Sequence, residues 1–164
     1  GASNKGATAG RISGDINLGV AGTPVAITSS NVIDTIINMG TVLDEANAPE
    51  QDRFMVIPAK MAGYIKQSDL KDASITGDGS SPLRNGRLGM IDRFTLYVSH
   101  NLYKNGSEFS VLGGHKMGFT FASQMTNMET IRSETTFGNI IRGLQVYGYK
   151  VVKPEALATA IVTL

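Results

Sequence analysis

Residues 29–58, SSNVIDTIINMGTVLDEANAPEQDRFMVIP, switch once from helical to extended periodicity, and that switch constrains the fold more than any other stretch. Apolar residues recur at Val32, Ile33, Ile36, Ile37, Met39 and Leu43, the spacing of one helix face, while Asp34, Thr35, Asn38, Thr41, Asp44 and Glu45 fall mostly on the other. Ser29, Ser30 or Asn31 is placed to accept backbone N–H bonds at the helix start, and Asp34 favours its positive end. Asn47 and Pro49 stop the helix, because proline donates no N–H and disfavours a helical residue before it. After the charged turn 50–53, the apolar run 54–57 reads as a central strand closed by Pro58. The rest of the chain is expected to pack against this helix–turn–strand unit.

Outside it the signals are shorter. Residues 1–23 are rich in Gly, Ala, Ser and Asn and predict a loop-like arm with at most one short strand. Pro58 starts a second helix, residues 59 to about 67, with Met61, Tyr64 and Ile65 facing inward. Residues 68–89 are glycine-rich and apolar-poor, a long loop or mobile hairpin. One strand is expected over 90–98, a turn at Asn105-Gly106, short strands at 111–112 and 117–121 around a tight turn at Gly113-Gly114, and a helical turn over 122–127. Residues 129–135 alternate about Ile131, residues 140–152 read as extended although helix is an alternative for 140–146, and a last strand runs over 156–164. The sum is α+β, a mainly antiparallel sheet with flanking helices. It divides into an arm or truncated start over 1–28, a core over 29–128 and strands over 129–164.

Composition narrows the function. Fifteen Lys and Arg against fourteen Asp and Glu leave a formal charge of +1, so no global field draws the chain to nucleic acid or an anionic membrane. The absence of cysteine removes disulfides, thiol catalysis and thiolate metal sites. No apolar run approaches the roughly 20 residues that span a bilayer, and the opening residues lack the apolar core of a signal peptide, so a soluble protein is expected. His100 and His115 lie in separate turns without a partner at metal-ligating spacing, and structural or surface roles are the simpler reading. The pairs Asp44-Glu45 and Glu50-Asp52 are candidates for acid and base, yet capping and solvation beside Arg53 account for them. Asp69, Asp72 and Asp78 miss the calcium-loop pattern, and Gly113-Gly114-His115-Lys116 has no phosphate-loop spacing. No nucleophile signature appears. No catalytic residue, cofactor or metal is expected.

Four strings in succession carry a resemblance: LDEANAPEQDRFMVIPAKM, GRLGMIDRFTLYVSHNLY, GGHKMGFTFASQM and RSETTFGNIIRGLQVYGYKVVKPEAL. Together they resemble the carboxy-terminal half of the major capsid proteins of tailed bacteriophages, those with the Hong Kong 97-type fold, over about residues 31–157. The resemblance implies an axial-domain-like core over 29–128 and peripheral-domain-like strands over 129–164. It also implies a structural, non-enzymatic virion protein that self-associates into pentameric or hexameric capsomers of an icosahedral shell. That shell would enclose double-stranded DNA without sequence-specific binding, assembling in the host cytoplasm with a possible scaffolding protein and no membrane. Family members carry an amino-terminal arm, an extended loop and a long spine helix before this region, so the chain is expected to be a fragment, an excised domain or a processed product. Lys71, Arg84 and Arg87 in the long loop are candidate inter-subunit contacts, with solvated loop charge as the alternative. A DNA- or polyanion-binding module, resting on scattered Lys and Arg, and a small hydrolase with an unrecognised site are the competing classes.

Overall fold

The computed structural model describes residues 4–68 and 89–164. The expected helix is α1, Val32–Glu45, burying Val32, Ile36, Met39, Val42 and Leu43 and leaving Ile37 exposed. Its start differs from the expectation. Asn31 occupies the N-cap but caps no helix N–H; its side-chain oxygen accepts from the Thr28 amide (2.7 Å) and its Nδ2 donates to the Ala26 carbonyl (2.8 Å), so it ties the incoming arm instead. The stop is the predicted one, with a fuller mechanism. Asn47 takes a left-handed φ of 54°, which lets the Ala48 amide reach the Leu43 carbonyl (3.0 Å) and the Asn47 amide the Asp44 carbonyl (2.9 Å), satisfying the last turn.

Strand β3, Arg53–Ile57, follows, and Pro58 opens α2, Ala59–Gln67, burying Met61, Ala62 and Ile65 with Tyr64 half-buried. Beyond the undescribed residues 69–88, the single strand expected over 90–98 is two: β4, Met90–Ile91, and β5, Phe94–Val98, paired antiparallel with Ile91 opposite Phe94. Asp92 and Arg93 make the two-residue turn, both at positive φ (45° and 66°), the geometry that matches strand twist in a tight hairpin. The turn at Asn105-Gly106 is as expected, with Gly106 at φ 59° between β6, Lys104–Asn105, and β7, Glu108–His115.

Gly113-Gly114 is not a turn. Both residues lie inside β7, where a Cβ on Gly113 would sit 3.1 Å from Met39 Cε and one on Gly114 would meet the Ala156 carbonyl at 2.5 Å. These glycines admit close packing. Nor do residues 122–127 form a helical turn, because β8, Phe119–Arg132, runs straight through them and pairs antiparallel with β9, Asn139–Val151. A register shift between Met125 and Asn127 marks a bulge. The expected last strand is β10, Leu157–Thr163.

Among the described residues eight strands make one sheet and β8–β9 makes another. In the larger sheet β10 lies between β7 and two short arm strands, β1 (Asn4–Lys5) and β2 (Val25–Ala26), which pair with it in parallel. β7 also pairs with β3, and β3 runs parallel to β5. Antiparallel pairings outnumber parallel ones, and the fold is the expected α+β. Residues from all three expected segments, 1–28, 29–128 and 129–164, share this sheet.

Alternation assigns its faces. Met55, Ile57, Phe94, Leu96, Val111, Ala158, Ala160 and Val162 join α1, α2 and arm residues Ala9, Leu18 and Ile27 in one core. Phe54, Val56, Thr95, Tyr97, Leu112 and Ile161 point to the opposite face.

Candidate assembly surface

The charged turn that first raised the question of acid–base chemistry is a structural clamp. Arg53 is 1% exposed, and its guanidinium donates to the carbonyls of Pro49 (2.8 Å), Ala48 (2.8 Å) and Gly40 (3.5 Å) while pairing with Asp44 at 2.6 Å. Arg93 reaches the other Asp44 oxygen (2.7 Å) and Glu50 (3.2 Å). Burial works to raise the Asp44 carboxyl, but hydrogen bonds and charge from Arg53 and Arg93 outweigh it and hold it below the ordinary value. Asp52 is likewise held low, by Lys116, its ion-pair partner. Glu45 accepts the amides of Ile12 (2.9 Å) and Ser13 (3.2 Å) in the arm, and these bonds lower it too. Each of the four acids thus has a fixed partner. Asp92 is pushed up, by burial first, with the nearby Asp44 charge adding to it and Arg93 pulling against it.

The histidines are separate. His115, buried at the end of β7, accepts the Met117 amide through Nδ1 (3.2 Å), and His100 is exposed in a bend. No cluster of three or more metal-ligating side chains occurs among the described residues, and among these no helix is long and apolar enough to cross a membrane. Lys71, Arg84 and Arg87 lie outside the described residues, as do Asp69, Asp72 and Asp78.

Among the described residues the β8–β9 ribbon forms a sheet apart from the larger one. Its strands of 14 and 13 residues extend on the order of 45 Å, and every residue of β9 is exposed. Its base is anchored by the Val152 amide on the Gly118 carbonyl (2.9 Å) and by Phe119 edge-on to Phe54 (5.8 Å between centroids). Its tip is built from local bonds, Ser133 Oγ to Thr136 Oγ1 (2.8 Å) and the Ser133 amide to the Gly138 carbonyl (3.0 Å).

Register separates the ribbon's faces. One carries Phe119, Phe121 and Met125 opposite Val151, Tyr149 and Gln145, with Tyr147 beside them; beyond the bulge come Met128 and Thr130 opposite Gly143 and Ile141. Its only charge is Arg132, next to the tip. The other face bears Lys150 and the Arg142–Glu129 pair (2.9 Å) among Ile131, Ile140, Leu144 and Val146. Phe121 is 59% exposed, Tyr149 80% and Phe137 at the tip fully so. An isolated two-stranded ribbon is marginally stable in water, and an apolar patch of this extent marks an interaction surface. Strand character was legible at 117–121 and over 140–152 but not through 122–127, and the exposure shows only once the larger sheet forms without these strands.

The family model described as phage capsid protein matches residues 1–160. A solved structure from Mycobacterium phage Che8 superposes with a TM-score of 0.70 at 28% identity, over 83% of this chain and 52% of that one. The capsid structure of cyanophage P-SCSP1u does so at 0.65 and 15% identity, over 84% and 48%. This chain therefore spans about half the length of these relatives. No curated protein matches it. With the mixed α+β fold of these neighbours and a family match over nearly its whole length, the chain belongs to the phage capsid protein family, that of the major capsid proteins of tailed bacteriophages.

Proposed function

We propose that this chain is the shell-forming part of a phage capsid subunit, a structural and non-enzymatic protein that self-associates into pentameric or hexameric capsomers of an icosahedral shell. The observation that carries the reading is the β8–β9 ribbon, about 45 Å of strand pair with apolar side chains in water on both faces. Burying such a surface against other copies is what a closed shell requires, in interfaces of roughly 1,000 Å² or more. In this reading the larger sheet with its helices is the axial unit and the ribbon belongs to the peripheral one. Double-stranded DNA is enclosed without being read, consistent with the formal charge of +1. Assembly takes place in the host cytoplasm, with a scaffolding protein as a possible partner, and the product is the virion shell. Lys71, Arg84 and Arg87 contribute contacts between subunits.

Light scattering after size exclusion, across a range of protein concentrations, tests the reading. Pentamers, hexamers or larger particles are expected. A monomer at every concentration, both for this chain and for a version carrying its natural flanking sequence, would overturn it. In the assembling protein, replacing Arg84 and Arg87 together with Ala should impair capsomer formation, and shells of normal yield and size would remove those residues from the proposal.

A further inference from the structure

The arm carries an exposed apolar residue that is held out rather than left loose. Ile12 is 83% exposed, yet its own amide and that of Ser13 are bound by the Glu45 carboxylate at the end of α1. Gly10 and Gly14 flank it at φ 101° and 64°, and the Ala9 and Ile16 amides and carbonyls pair across the loop base (2.8 and 3.1 Å). An apolar side chain presented on a pinned backbone has already lost the freedom that binding would otherwise cost it.

A matching depression lies elsewhere on the same chain. Gly6, Gly19, Val20, Ala21 and Ile161 line a hollow of about 340 Å³ with Lys5 at its rim. Gly19 is shaped for this place, since at φ 78° a Cβ there would strike the Ile161 carbonyl at 2.2 Å. Lys5 and Ile161 belong to the sheet face away from α1, whereas the Ile12 loop is tied to α1 itself. Knob and hollow therefore sit on opposite sides of the larger sheet and cannot meet within one chain.

Resting on the assembly reading above, we propose that Ile12 of one copy seats in the Gly19–Ile161 hollow of a second copy. Charge supports this occupant. The knob carries Arg11 before Ile12 and Asp15 after it; the hollow has Lys5 on its rim and, at Gly22, the Glu108 carboxylate that accepts the Gly22 amide (2.9 Å). The pairing this predicts is Asp15 with Lys5 and Arg11 with Glu108. A contact between two different patches is heterologous, so each copy has one knob and one hollow to offer, and repetition closes a ring when the rotation allows.

The chain has no cysteine, so Ile12→Cys and Ala21→Cys introduce the only two thiols. Under mild oxidation the double variant should give a ladder of covalent oligomers on a non-reducing gel, where each single variant gives at most dimers. Lys5→Asp should weaken association about tenfold, and adding Asp15→Lys should restore it. Light scattering on the same samples separates the two ideas. Particles that form normally with no ladder and no charge rescue overturn the knob and leave the assembly reading standing. A protein that stays monomeric throughout, both as this chain and with its natural flanking sequence, overturns both.

Discussion

Arg53 shows how one residue can hold several segments. It is buried with three carbonyls and a carboxylate as partners, so Arg53→Met should cost about 3 kcal/mol by orphaning them, measured as a shift in the urea midpoint at constant slope. Gly114→Ala should cost about 2 kcal/mol, because the new methyl meets a backbone carbonyl. Gly113→Ala should cost less, since the Met39 side chain it approaches can shift. Acid acts on the same network. Asp44, Asp52 and Glu45 are held below their ordinary values, so the unfolded chain takes up their protons first. Their stabilisation is complete above those ordinary values and drains away as pH falls through the lowered ones, mostly between about pH 5 and pH 3. Asp92 has the opposite sign. Its raised value makes its protonation favour the fold, which subtracts from the acid loss, so Asp92→Asn should raise stability at pH 7 and steepen the fall. Denaturant titrations across that range would check both slopes. A single sequence shows that acids flank Arg53; it does not show that Asp44 takes Arg53 and Arg93 together while Glu45 turns to the arm, because those partners lie up to 49 positions away.

Elements differ in how far their surroundings complete them. β3 and α2 were legible to within a residue and α1 between its expected start and stop, since their apolar periods coincide with the core they enter. The 122–127 segment was not. Ala122, Gln124 and Met125 suit a helix, and only the ladder to β9 makes them a strand. The same ladder lacks a third strand or a covering helix among the described residues. Amide exchange should therefore be faster in β8–β9 than in β3, β7 and β10 of the unassembled chain, and should slow on assembly. Tyr147→Thr with Tyr149→Thr, on the charge-poor face, should leave the chain's own stability within about 0.5 kcal/mol while reducing particle yield. Equal particle yield would shift the contact to the face bearing Lys150.

At the scale of the whole molecule, one structure divides its apolar residues between a core it fills and a surface it leaves open. The core gathers residues from Ala9 to Val162, and β10, last in the chain, lies between β7 and the arm strands. This placement predicts that deleting residues 157–164 destroys the larger sheet: α1, β7 and the arm lose a shared partner, and circular dichroism should show a chain no longer folding cooperatively. Truncating the ribbon between Phe119 and Val151 with a short turn should instead preserve cooperative unfolding and abolish association. By itself the sequence determined the helix–turn–strand unit, the α+β class, the lack of thiol chemistry and the succession of strings shared with phage capsid proteins, because those depend on local period, composition and order. Which strands became neighbours, where each acid found its base, and which apolar residues stayed in water were decided only by the tertiary structure. Those outcomes depend on contacts between residues far apart in the chain, and no local pattern encodes them.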